Sequence, residues 1–196
     1  MATFSEKEIR FLADTDFLLT KQDINQKVTA LLGEAEQKLK GIIQSSDFPF
    51  PDQAFLKAGK ISRGEQYQGL PYWILDYPRK FSKEATFSFR TMVWWGHEIS
   101  CFFHIGGTDL ENFRAFILKN FQKDPSAYIS VHSSPWEYHF GPDNYQNAFK
   151  IGPEEVKTHM DQFGFHKMTD RLPLEQIQDL PDFAATTFAK MLDSLR

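Results

Sequence analysis

Residues 87–105, FSFRTMVWWGHEISCFFHI, decide how the rest of the chain is read. Phe87, Phe89, Thr91 and Val93 alternate along one run, and Ile99, Cys101, Phe103 and Ile105 alternate along the next. A period of two is what a strand with one buried face requires. Gly96 and His97 lie between the runs. A loop of those two residues alone would pair Trp95 with Glu98 and send the two apolar sets to opposite sides of the sheet. A loop of three, Trp95-Gly96-His97, pairs Trp94 with Glu98 and puts both sets on one face. The sequence therefore predicts the odd loop or an equivalent bulge. The same register assigns the opposite face to Ser88, Arg90, Met92 and Trp94 on one strand and to Glu98, Ser100, Phe102 and His104 on its partner.

Working outward, residues 72–77 read as a strand with Trp73, Leu75 and Tyr77 toward the core and Tyr72, Ile74 and Asp76 on the second face. Tyr77-Pro78-Arg79 reads as its exit. Residues 128–132 and 136–140 read as two further strands. Tyr128, Ser130, His132, Glu137 and His139 are expected on the second face, and Trp136, Tyr138 and Phe140 inward. A last strand covers 165–172. The helices are marked by their ends. Ser5 and Glu8 form a capping box for a helix over 6–13. Thr20 reads as the N-cap of a long helix whose apolar residues, from Ile24 and Val28 through Leu39 to Ile43, fall within an arc of about 120°. Pro49 and Pro51 lie beyond its end, since proline cannot occupy a helix interior. Thr108 and Glu111 open a helix over 109–122, Pro153 opens another closed by Gly164, and a last one covers 182–195. Hairpin-linked strands grouped between helices specify an α+β fold. The expectation is an antiparallel sheet of about five to six strands packed against helices, including the long N-terminal amphipathic helix, in one domain over 1–196.

Composition sets the class. At 196 residues, 41% hydrophobic and 24% charged, the chain falls in the globular range and outside the disordered one. The single cysteine, Cys101, can form no internal disulfide, the N-terminus is charged, and no apolar run reaches membrane-spanning length, so a cytoplasmic protein with no membrane association is expected. A net charge of −4 disfavours general nucleic-acid binding. The 20 phenylalanines raise the aromatic share to 15%, enough for an aromatic core and an aromatic-lined cavity as well.

The second sheet face is half polar and half aromatic, which suits a groove better than a solvated surface. Residues 57–90 hold seven basic side chains against three acidic ones, interleaved with Tyr67, Tyr72, Trp73, Tyr77 and Phe81. Arg90 carries a planar fork suited to a carboxylate or phosphate. The candidate ligand-binding residues are Arg90, His104, Asp76, Trp94, Tyr72 and His132, and the expected ligand is a small anion, with no cofactor and no metal assigned. An alternative is a metal-assisted or acid/base hydrolase using His104, His132, His139 and Glu137, although no metal-ligand spacing motif supports it. A third reading is an interaction protein forming a homodimer through exposed aromatic surface. No nucleophile elbow or phosphate loop is present, and Cys101 on the apolar strand face would be an unreactive buried thiol.

Overall fold

In the computed structural model, which describes residues 2–196, the elements in chain order are α1 (Glu6–Ala13), α2 (Thr15–Ser45), β1 (Lys60–Tyr67), β2 (Leu70–Phe81), β3 (Ala85–Trp94), β4 (Glu98–Gly107), α3 (Thr108–Asn120), β5 (Tyr128–Ser130), β6 (Tyr145–Asn147), α4 (Pro153–Phe163), β7 (Phe165–Pro173) and α5 (Leu180–Asp193). Short 3-10 turns cover Ala148–Lys150 and Leu174–Asp179. The strands form one sheet in the order β1-β2-β3-β4-β7-β5-β6, with every neighbouring pair antiparallel. The fold is α+β. Among the described residues no helix is long and apolar enough to cross a membrane.

The β3–β4 hairpin reverses through Trp95, Gly96 and His97, with Gly96 at φ 74°. Phe89 consequently lies opposite Phe103, Arg90 opposite Phe102 and Ser88 opposite His104. Phe87, Phe89, Val93, Ile99, Cys101, Phe103 and Ile105 are all buried on one face, where α2, α3 and α5 cover them. Phe87 meets Phe103 edge-on at 5.0 Å, and Phe89 meets Phe188 of α5 at 4.9 Å. Val28, Leu32, Ala35 and Leu39 form the buried stripe of α2. The apolar alternation thus decides both the loop length and the face that the helices cover.

Several boundaries differ from the sequence expectation, each for a local reason. Helix α2 begins at Thr15 because Asp14 caps it, its carboxylate accepting the Phe17 amide at 2.9 Å; Thr20 is interior. At α3 the cap is Gly107, not Thr108. A Cβ at Gly107 would lie 2.0 Å from the Glu84 carbonyl oxygen, so only glycine allows β4 to run straight into the helix. Strand β1 extends one edge and β6 the other, giving seven strands where five to six were expected. Strand β2 does not stop at Tyr77: it continues to Phe81, with a register shift between Asp76 and Arg79. That shift changes the parity of the strand, so Arg79 and Phe81 rejoin Asp76 on the second face.

Residues 136–140 are not a strand. They form part of an irregular segment between β5 and β6 that crosses the second face. Tyr138 and Phe140 pack on that face against Phe102, Tyr128 and Tyr145, not toward the helices.

Phe103→Ala is expected to cost about 3–5 kcal/mol, the usual penalty for emptying a buried aromatic site. Phe149→Ala, at an exposed position, should stay within about 0.5 kcal/mol of the parent. Urea unfolding followed by circular dichroism measures both, and equal effects would contradict the assigned core.

Candidate functional site

The second face divides into an aromatic end and a charged end. At the charged end Asp76 and Arg90 are cross-strand neighbours on β2 and β3. The Arg90 guanidinium donates from Nε and Nη2 to the two Asp76 oxygens at 2.7 and 2.9 Å, and from Nη1 to the Tyr138 hydroxyl. Each of its three nitrogens thus has a partner within the protein, and its guanidinium carbon lies 5.2 Å from the centre of the Tyr138 ring. Burial pushes the Tyr138 phenol up to about 12, with the Arg90 charge opposing, so the hydroxyl keeps its proton. Removing either member of such a pair leaves a buried uncompensated charge, at a cost of about 3–5 kcal/mol.

Tyr138 belongs to the irregular segment, whose backbone groups find side chains in place of a neighbouring strand. The Tyr67 hydroxyl accepts the amides of Tyr138 and His139 at 2.7 and 3.0 Å. The Lys167 ammonium donates to the carbonyls of Pro135 and Glu137 at 2.8 and 2.7 Å. Lys167 is 1% exposed, and its nitrogen lies 4.0 Å from the Tyr138 ring centre and 4.9 Å from that of Phe102. Burial draws its pKa well below the ordinary lysine value, the Arg90 charge acts in the same direction, and Glu137 opposes.

Beneath the edge of this cover lies a cleft of about 320 Å³. Lys60, Asp76, Arg79, Phe81 and Arg90 come from the sheet, and Trp136 from the covering segment. Trp136 is 51% exposed, with its ring 6.2 Å from Phe81 and 5.6 Å from His104. Lys60 and Arg79 form no ion pair among the described residues. Arg79 stacks its guanidinium 4.7 Å from the Phe55 ring centre, and its buried Nε has no hydrogen-bond partner. Three cations against one carboxylate leave the cleft electropositive in a chain of net charge −4.

The structure brings Asp76 and Arg90 together in this cleft and places His104 two residues further along the same face, beneath Trp136. Trp94 and Tyr72 share the face but sit at its aromatic end. There Trp94 is buried, stacked on His97 at 3.5 Å and edge-on to Tyr67 at 4.9 Å. His132 lies in the turn after β5, where its Nδ1 accepts the Ser134 amide at 3.0 Å and its carbonyl accepts from His159 Nε2 at 2.9 Å. His139 and Glu137 approach within 3.8 Å of one another. Among the described residues, no three His, Cys, Asp or Glu side chains form a group able to hold a metal ion. Burial pushes the Cys101 thiol far up, away from the reactive thiolate. Sequence reasoning missed Lys60, Arg79, Phe81 and Trp136 as a set. The signal was Pro78 inside a strand, which marks a bulge rather than an end.

A second cleft, about 440 Å³, lies where β5 and α4 meet. Ile129, Val131, Ile151, Val156 and Phe163 give it apolar walls, and its charged groups are Glu154 and Glu155, the wrong sign for an anion. Comparison of the chain with models of protein families, with curated proteins and with solved structures gives no match.

Two buried histidines tie this region to pH. Burial first, then the charges of Lys167 and Arg90, bring His104 down to about 3, and burial, with His159 adding, brings His166 to about 3. In the unfolded chain both protonate near 6.5, so below that pH the unfolded state binds more protons. Stability should fall as pH drops from about 6.5 toward 3, by about 1.4 kcal/mol per pH unit for each histidine. Urea midpoints across that range test this, with His104→Gln reducing the slope; an unchanged slope would show that His104 titrates freely in the folded protein.

Proposed function

We infer that the protein binds a small anion with a planar or aromatic portion in the cleft between the β2 edge and Trp136. The observation that carries this reading is the pair of cations without acidic partners among the described residues, Lys60 and Arg79, beside the exposed rings of Phe81 and Trp136. Lys60 and Arg79 line the cleft with N–H donors, and charge-assisted hydrogen bonds from such donors to an oxyanion are among the strong ones. The flanking rings offer a flat ligand stacking surface. In this reading Asp76 and Tyr138 orient Arg90, whose positive charge forms the floor, and Lys60 with Arg79 closes on the anion from the sheet edge. His104, neutral and outside the cleft lining, supports the Trp136 ring from beneath at 5.6 Å. The proposed setting is cytoplasmic, in keeping with a single buried cysteine that needs no oxidising compartment.

Phenyl phosphate, with benzyl alcohol as the uncharged control, is a suitable probe. Titration followed by tryptophan fluorescence should show saturable binding of the phosphate and none of the alcohol. Arg79→Ala and Lys60→Ala should each weaken binding about tenfold, as expected for losing one charge-assisted hydrogen bond. Binding unaffected by both substitutions, or equal binding of the alcohol, would refute the assignment.

A further inference from the structure

The N-terminal helices leave the sheet behind. Every residue from Ala2 to Thr20 is exposed, and the first buried side chain of α2 is Val28, although this 31-residue helix is about 46 Å long. Large apolar side chains are nevertheless concentrated there. Phe4, Ile9, Phe11 and Leu12 lie on or before α1, and Phe17, Leu18, Leu19 and Ile24 lie on the first turns of α2. These make up eight of the thirteen exposed large hydrophobic residues among those described.

The arrangement is ordered. Phe17 and Ile24 are seven residues apart and continue the stripe that Val28, Ala35 and Leu39 bury against the fold, so the core seam overhangs the sheet. At Asp14 the chain changes from α1 to α2, and Phe11 meets Phe17 with ring centres 6.0 Å apart. At the base of the arm Lys21 pairs with Glu65 of β1 at 3.3 Å.

The geometry points to a second copy of this chain as the occupant, with the two arms packing their overhanging seams against each other. Area supports this choice. Leu18 and Leu19 turn about 100° and 200° away from Phe17 around the helix, and the other six side chains, each about half exposed and each offering about 200 Å² when free, present on the order of 600 Å² per chain. Two such shares, about 1,200 Å², reach the lower end of the standard interface range. Charge supports it too. Residues 5–27 carry Glu6, Glu8, Asp14, Asp16 and Asp23 against Lys7, Arg10, Lys21 and Lys27, five acids and four bases. A helix that lies on an anionic membrane carries a cationic polar face, whereas a mixed one complements its own copy across a two-fold axis.

Analytical ultracentrifugation of the full chain from nanomolar to high micromolar concentration tests the pairing. A reversible monomer–dimer equilibrium is expected, and the double variant Leu12→Glu, Phe17→Glu should weaken dimerisation at least a hundredfold with near-ultraviolet circular dichroism unchanged, because neither residue touches the core. Phe149→Glu, an exposed ring elsewhere, should leave the dimer intact. A wild-type monomer throughout the range, a dimer that survives the arm substitutions, or flotation of a monomer with phosphatidylcholine–phosphatidylserine vesicles would each overturn the proposal.

Discussion

Residues 135–139 cross a sheet face without strand partners, so the backbone groups they bury must be satisfied by side chains. Buried amides and carbonyls left unpaired are costly, and this is the constraint on which the second face depends. Tyr67 from one edge strand accepts two amides, and Lys167 from the interior of β7 donates to two carbonyls. Tyr145 and Asn144 supply two more donors, to the carbonyls of Glu137 and His139. Four side chains thus take the place of a hydrogen-bonded ladder. Because Tyr138 is held this way, its hydroxyl can complete the Arg90–Asp76 pair, and because Trp136 is held next to it, the cleft has a wall.

The two faces differ in what decides them. The helix-covered face is a matter of apolar area, with rings and aliphatic chains at most alternate positions; its polar groups are few, among them Thr91 with Cys101 at 3.7 Å and His166, whose buried Nε2 has no hydrogen-bond partner among the described residues. The second face is held by directed interactions: a bidentate ion pair, a lysine among three aromatic rings, and phenol hydroxyls at several donors and acceptors. Directed interactions fix geometry, which a binding cleft needs more than an additional apolar layer does.

This difference explains which parts of the structure were legible in the sequence. The hairpin register followed from two alternating apolar runs and one glycine, and with it the pairing of Phe89 with Phe103 and the shared face of Arg90 and His104. The helix ends marked by Ser5, Pro153 and Gly164 were equally readable, because capping is local. The same parity put Asp76 on the face of Arg90, but that the two are cross-strand neighbours depends on the β2–β3 register, which the sequence reading did not set. What alternation could not convey was Tyr138. Its neighbours Trp136 and Phe140 also alternate, so the segment mimics a strand, yet its hydrogen bonds go to Tyr67 and Lys167, residues 71 and 29 positions away from Tyr138 in sequence. The bulge at Pro78 had a local signal, but its consequence, turning Arg79 and Phe81 toward the cleft, required knowing that the strand continued.

Amide hydrogen exchange at Tyr138 and His139 tests most directly whether side chains hold the covering segment. With Tyr67 and Lys167 acting as described, both amides should exchange as slowly as those of the neighbouring sheet, and Lys167→Met should release them while β3 and β4 stay protected. Exchange of these two amides at the rate of an unstructured peptide in the wild-type protein would contradict the account.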